Sequence, residues 1–353
     1  MTAPRYTLSQ SAIRNLQSAI FPIALLGFGN VGRSFARFLQ KSSAAGEIEI
    51  RAVADSTGGV CLAAPEVLER LIQMKEQGLP LQSCSPRDCI ANQDVFIARL
   101  LAAGVQAVVE SLPNRLESGE PALSILRRFL GAGVPVVTVN KGPLVHGWAE
   151  LEEAARVGGA ALAFSGATGI RPPAGLRDCP PLEIQGILNG TTNYILSAME
   201  NRSLPFAEAL AEARSLGIAE PDPRLDIEGW DAACKIVILA NRWMGARARL
   251  DDVVRIGIGP ETESLAQTAR ASQRKLRLLS RARVWQGRVR LSVAPKLVAH
   301  DSPFYPLDGV RKGAVFKTAE RGDLFAEGLS GREAISETIL ADLMEMRDGK
   351  APE

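Results

Sequence analysis

Phe21-Pro22-Ile23-Ala24-Leu25-Leu26-Gly27-Phe28-Gly29-Asn30-Val31-Gly32 decides the fold. A continuous apolar run closed by glycine reads as a strand buried on both faces of a parallel sheet. The run ends in G-x-G-x-x-G, and Val31, Phe35, Phe38 and Leu39 then follow on the apolar side of a helix. Gly27 makes the tight turn, Gly29 lets backbone approach a pyrophosphate, and Gly32 lets helix pack on strand. Phe28, Asn30 and Val31 complete a loop whose helix N-terminus faces the anion. A second strand, 48–54, ends at Asp55, where a ribose-binding acid belongs. Asp55 would accept hydrogen bonds from a ribose 2′-hydroxyl and repel a 2′-phosphate. This favours NAD over NADP, and Arg33 and Arg51 can soften the preference.

Further strands are expected at 106–110, 134–139 and 160–164, with helices at 65–77, 94–103, 121–132 and 148–157. Such alternation predicts an α/β fold, a Rossmann-type doubly wound parallel sheet. Near residue 165 the pattern changes. A strand at 182–188 is followed by helices at 191–201, 205–216 and 227–243, then by alternating antiparallel stretches at 275–284 and 288–298. This predicts a second, α+β domain for substrate binding and dimerisation. The expected division is an N-terminal extension over 1–20, a dinucleotide-binding domain over 21–164 completed by 305–353, and a substrate and dimerisation domain over 165–304. A helix is expected at 333–346.

Composition narrows the function classes. A chain of 353 residues holds about two domains. With 41 basic and 39 acidic residues there is no electrostatic case for nucleic acid or a membrane surface. No apolar run reaches the ~18 residues of a spanning helix. Cys61, Cys84, Cys89, Cys179 and Cys234 form no CxxC pair, which suits reduced thiols in the cytoplasm. His146 and His300 have no ligand spacing, so no metal site is expected.

Two stretches carry chemistry. Thr138-Val139-Asn140-Lys141-Gly142-Pro143-Leu144 follows the fourth strand, at the end of a parallel sheet where ligands bind. Ser111, ending a neighbouring strand, can line the same crevice. The second stretch runs from Glu220 to Lys235 and includes Asp222, Asp226, Glu228 and Asp231. Asp231 and Lys235 are four apart and share a helix face. Acids that bind an ammonium, beside a lysine that handles a proton, suggest a small amino-acid substrate.

These residues resemble homoserine dehydrogenase, in a short form without a C-terminal regulatory domain. The resemblance covers nearly the whole chain. It rests on the glycine loop, Val137-Thr138-Val139-Asn140-Lys141, the stretch from Gly186 through Asn189-Gly190-Thr191-Thr192-Asn193 to Leu196, and Ala219-Glu220-Pro221-Asp222-Pro223 through Lys235. It implies NAD(P)-linked interconversion of L-homoserine and L-aspartate 4-semialdehyde, on the route to threonine, methionine and isoleucine, in a homodimer. It also implies roles. Glu220, Asp226 and Asp231 are substrate-site acids, Gly190 and Thr191 contact the substrate, Lys235 is the proton donor, and Lys141 lies at nicotinamide and substrate. Asn140 and Gly331 approach the cofactor.

Three positions depart from the family pattern. Ser165 stands where many relatives carry a cation-holding glutamate, with Arg171 adding positive charge nearby. Ile218 replaces a tyrosine. The late glycine-rich turn is reduced to Gly328-Leu329-Ser330-Gly331. These departures leave two rivals open. One is a related oxidoreductase for another amino-acid-derived aldehyde or alcohol. The other is a non-catalytic nucleotide-binding regulator, against which the intact Lys141, Asp231 and Lys235 argue.

Overall fold

The computed structural model describes residues 20–85, 87–176, 178–328 and 331–350. The expected extension over 1–20 lies, apart from Ile20, outside the described residues. Six strands form the first sheet: β1 (Phe21–Leu26), β2 (Ile48–Asp55), β3 (Gly58–Cys61), β4 (Ala107–Glu110), β5 (Val136–Thr138) and β6 (Leu162–Ala163). Their order is β3-β2-β1-β4-β5-β6, parallel except for β3. The winding reverses between β1 and β4, so the glycine loop after β1 opens at the topological switch point.

Sequence reading missed β3. It is a short strand returning from β2, and its two glycines hide it. Gly58 takes a left-handed φ of +144°, and a Cβ on Gly59 would lie 2.3 Å from the Phe96 ring. Close packing rather than β propensity places both residues there.

The second sheet has the order β12-β11-β7-β9-β10-β8. Its strands are β7 (Glu183–Ile187), β8 (Val253–Arg255), β9 (Lys275–Trp285), β10 (Arg288–Val298), β11 (Lys312–Thr318) and β12 (Gly322–Gly328). The helices Gly190–Arg202 and Trp230–Met244 pack on it. Alternate β9 residues Leu276, Leu278 and Ala282 enter the core with Ile236, Val237 and Leu239 of the second helix. The single helix expected over 227–243 is two. A short turn at Arg224–Ile227 stops at Gly229, whose φ of +81° breaks the helical path before Trp230.

The 305–353 tail does not complete the first domain as a block. β11 pairs with β7 and β12 with β11, extending the second sheet. Among the described residues of the tail, the last helix, Arg332–Arg347, returns, packing Ile339 and Leu343 beside Phe35 and Leu39 of the first helix. Asn193 holds the approach to β11. Its side-chain amide donates to the carbonyls of Leu307, Gly309 and Arg311 at 3.0, 3.0 and 2.9 Å.

The returning helix brings in Asp342, which accepts hydrogen bonds from Ser165 Oγ at 2.8 Å and Ser165 N at 3.3 Å. Ser165, read as the vacant place of a cation ligand, therefore serves as a donor to a buried carboxyl. Burial pushes Asp342 up to about 7, against the pull of Ser165 and Arg171. An unfolded aspartate titrates near ~3.9. Between these values the folded protein holds a proton that the unfolded chain has lost. The stability from this group is thus full below the window and declines as pH rises through it. Asp342→Asn should flatten the loss of urea midpoint between about pH 4 and pH 7; parallel wild-type and variant profiles would refute the assignment.

Candidate active site

Two adjoining clefts open at the carboxyl ends of β1, β4 and β5, and Val31 lines both. The first, about 630 Å³, is lined by residues 27–31, Asp55, Lys75, Ser111 and the apolar Ile90, Phe96 and Ile97. Gly27 has φ +101°, and a Cβ there would sit 2.3 Å from the Ser111 carbonyl oxygen. A Cβ on Gly32 would lie 2.4 Å from the Gly27 carbonyl oxygen, whereas one on Gly29 would meet nothing. The loop is therefore pinned at its ends and open in the middle, as a backbone cradle for a pyrophosphate requires. Ser111 lines this cleft and also braces the loop, donating from Oγ to the Gly27 carbonyl at 2.8 Å.

Asp55 is not the free acceptor expected from sequence. Lys75 Nζ and Leu81 N donate to its Oδ2 at 2.7 and 3.0 Å, and Thr57 N and Oγ1 donate to Oδ1 at 2.8 and 2.6 Å. Burial opposes its ionisation, but these donors hold the carboxyl below its usual range. Its charge is offset at contact distance by an ammonium lining the same cleft. Nor are Arg33 and Arg51 the cations that bear on it. Arg33 donates to Asn30 Oδ1 at 3.0 Å, and Arg51 pairs with Glu49 at 2.7 Å.

Asn140 likewise turns inward and lines neither cleft. Its Nδ2 donates to Glu110 Oε1 at 3.2 Å, and its Oδ1 caps the Lys141–His146 helix by accepting from Gly142 N at 3.1 Å. Glu110 is fully buried and also accepts from Thr138 Oγ1 at 2.5 Å and Leu112 N at 2.7 Å. Burial pushes its carboxyl up. This Glu110–Thr138–Asn140 network joins the ends of β4 and β5 and fixes the backbone that presents Lys141.

The second cleft, about 840 Å³, gathers Lys141, Asn189, Gly190, Thr191, Ile218, Glu220, Asp222, Asp226, Asp231, Lys235, Lys312 and Gly331 among its lining. Asp231 is its electrostatic centre. Its Oδ2 accepts from Lys235 Nζ at 2.6 Å and Asn189 Nδ2 at 2.9 Å, and its Oδ1 lies 3.4 Å from Lys141 Nζ. Burial favours the neutral acid, but Lys235 and Lys141 overcome it and hold the carboxyl well below its usual range. The reverse holds for Lys141: burial opposes its charge, yet Asp231 keeps its pKa raised. Lys235 also donates to the Leu188 carbonyl at 2.9 Å. The Lys141–Asp231 contact spans two domains and was not readable from the i,i+4 spacing that predicted the Lys235 pair.

The remaining acids divide. Asp226 accepts from Asn189 Nδ2 at 2.6 Å; burial, then Asp231, pushes its carboxyl up. Asp222 turns outward to Arg224, 2.8 Å from its Nε. Glu220 is exposed at the rim and makes no hydrogen bond to another described residue. Thr191 Oγ1 donates to the Ile218 carbonyl at 3.1 Å. Cys234 adjoins the cluster, but burial pushes its thiol up to about 12, so it is no nucleophile.

Sequence reasoning missed Asn189, Glu110, Lys75 and Lys312. Asn189 left a signal: an asparagine at the start of the Gly190–Arg202 helix, where its Oδ1 accepts from Thr192 N at 2.8 Å. Lys312 left none, because only the pairing of β11 with β7 brings it to the cleft.

Comparison with known proteins agrees with this geometry. The model of the homoserine dehydrogenase NAD-binding domain matches residues 27–165, and that of homoserine dehydrogenase matches 176–344. A homoserine dehydrogenase of Methanocaldococcus jannaschii is 34% identical, over 91% of this chain and 97% of that protein. An NAD(+)-dependent homoserine dehydrogenase of Pseudomonas canavaninivorans is 30% identical, over 92% of this chain and 95% of that protein. A crystal structure from Archaeoglobus fulgidus bearing the same family name superposes with a TM-score of 0.80 at 33% identity, covering 93% of this chain and 99% of that one. The first matched segment contains the glycine loop and Lys141 and the second contains Asp231 and Lys235, so the residues of both clefts fall within the likeness: the chain belongs to the homoserine dehydrogenase family.

Proposed function

We propose that the second cleft binds L-homoserine and L-aspartate 4-semialdehyde and interconverts them with NAD or NADP held along the glycine loop. The observation that carries this reading is the Lys141–Asp231–Lys235 cluster beside the loop. When bound, the nicotinamide accepts or supplies the hydride. The protein's own residues handle charge and protons. An ammonium has three donors. Lys235 spends two, on Asp231 and Leu188, leaving one for the reacting oxygen. Protonating or electrostatically holding a nascent alkoxide is the work of such a group. Lys141, kept charged by Asp231, adds a second cation beside the same carboxylate. Glu220 at the rim takes the substrate ammonium, and Gly190 and Thr191 present the start of a helix to the substrate. Asp226 and Asn189 brace Asp231.

Cofactor choice turns on the Asp55–Lys75 pair. With Asp55 neutralised at 2.7 Å, the cleft accommodates a 2′-phosphate as well as a 2′-hydroxyl. We also propose a cytoplasmic homodimer. All five cysteines are free thiols, and the second sheet exposes Trp285 and Phe325, at 47% and 43%. Among the described residues no helix is long and apolar enough to cross a membrane. Ile218 in the lining keeps one second reading in play, a related amino-acid-derived alcohol as substrate.

Steady-state assays with NAD and NADP separately should show oxidation of L-homoserine. Turnover of another hydroxy amino acid in its place would favour the second reading. Lys235→Ala should lower kcat by about 10²- to 10⁴-fold while retaining nucleotide binding, and a fully active variant would remove the proton role. Lys141→Ala should lower kcat as well. Lys75→Gln leaves Asp55 without its cation, so KM for NADP should rise about 10-fold relative to that for NAD; an unchanged ratio would show that Lys75 does not meet the 2′ position.

A further inference from the structure

We infer that Lys312 anchors the α-carboxylate of the substrate and thereby determines specificity for an amino acid over a simple amino alcohol. The inference rests on the amino-acid reading above and deepens it. Such a substrate brings an ammonium and a carboxylate besides its reacting oxygen. The cleft offers acids for the ammonium, but most of its cations are committed. Lys141 and Lys235 both face Asp231.

Lys312 differs from them. It lines the cleft, is only 6% exposed, and its side chain makes no hydrogen bond or ion pair with another described residue. Burying an ammonium without a counter-charge is costly. Burial, then the like charge of Lys235, pushes its pKa down to about 7, while Asp231 compensates only in part. A substrate carboxylate supplies the missing charge, so binding relieves a cost already present in the free protein.

The placement is built in. Asn193 clamps the carbonyls of 307, 309 and 311, and Ser197 Oγ accepts from Gly309 N at 3.1 Å. The next strand starts at Lys312, opposite Gly328, where a Cβ would lie 2.8 Å from that of Lys312. Its neighbour Gly313 pairs with Ile187, the residue before the Leu188-Asn189-Gly190 turn. The lysine is thus delivered to the end of the sheet where the Gly190–Arg202 helix begins, and that helix N-terminus also favours a carboxylate.

The test uses the full chain with Lys312→Met, Lys312→Gln and Lys312→Arg. NADH fluorescence confirms that each variant folds and binds nucleotide. For Lys312→Met and Lys312→Gln, KM for L-homoserine should rise about 10- to 100-fold with kcat little changed, and Lys312→Arg should recover most of the loss. Competitive inhibition by 3-aminopropan-1-ol, which lacks the carboxylate, should be unaffected. The inference is overturned if KM stays constant, if kcat falls instead, or if the inhibitor weakens as much as homoserine does. A wild type that fails to oxidise L-homoserine would overturn the proposed activity itself, a result distinct from any of these.

Discussion

A largely buried carboxylate held between two lysines at the wall of a cleft is the interaction on which the rest of this site depends. Asp231 meets Lys235 at 2.6 Å and Lys141 at 3.4 Å. Alone in that position it would take up a proton, because burial penalises its charge. With both lysines present it remains ionised and keeps Lys141 charged in turn. Removing Asp231 would leave two buried ammoniums without their shared counter-charge, a loss that costs several kcal/mol in general. The cluster also joins the domains. Lys141 comes from the end of β5 in the first sheet, while Asp231 and Lys235 come from the helix packed on the second.

The framework serves this arrangement. The switch point beside β1 opens the first cleft, and the Glu110–Thr138–Asn140 network holds the β5 end so that Lys141 starts a capped helix. Asn189 does the corresponding work from the second domain. It caps one helix through Oδ1 and donates through Nδ2 to both Asp226 and Asp231. Each cap is a local device, and each also aims a charged side chain into the cleft.

Much of this was legible in the sequence. The apolar run and G-x-G-x-x-G placed β1, its loop and the first helix. The i,i+4 spacing placed Lys235 on Asp231, and the resemblance singled out Glu220, Asp226 and Asp231, which line the second cleft. The misreadings share one cause. Asp55 looked like a free acceptor because Lys75, twenty residues on, carries no mark of pairing with it. The partner of Asn140, the buried Glu110 of β4, likewise carries no mark in the sequence around it. The tail was assigned as a unit, yet β11 and β12 found the open edge of β7 while the last helix returned to the first domain.

The sequence by itself determined the features set by local rules. These are the side-chain periodicity of strands and helices, the glycines that a tight turn demands, and the pairing of charges one helical turn apart. Tertiary structure alone decided which charges meet across strands and domains. It neutralised Asp55, placed Lys141 against Asp231, and brought Lys312 into the cleft with no side-chain partner among the described residues. The physical reason is that the charge state of a buried group follows from its burial and its nearest counter-charge. Both are properties of the packed chain, and neither is encoded within a few residues of the group.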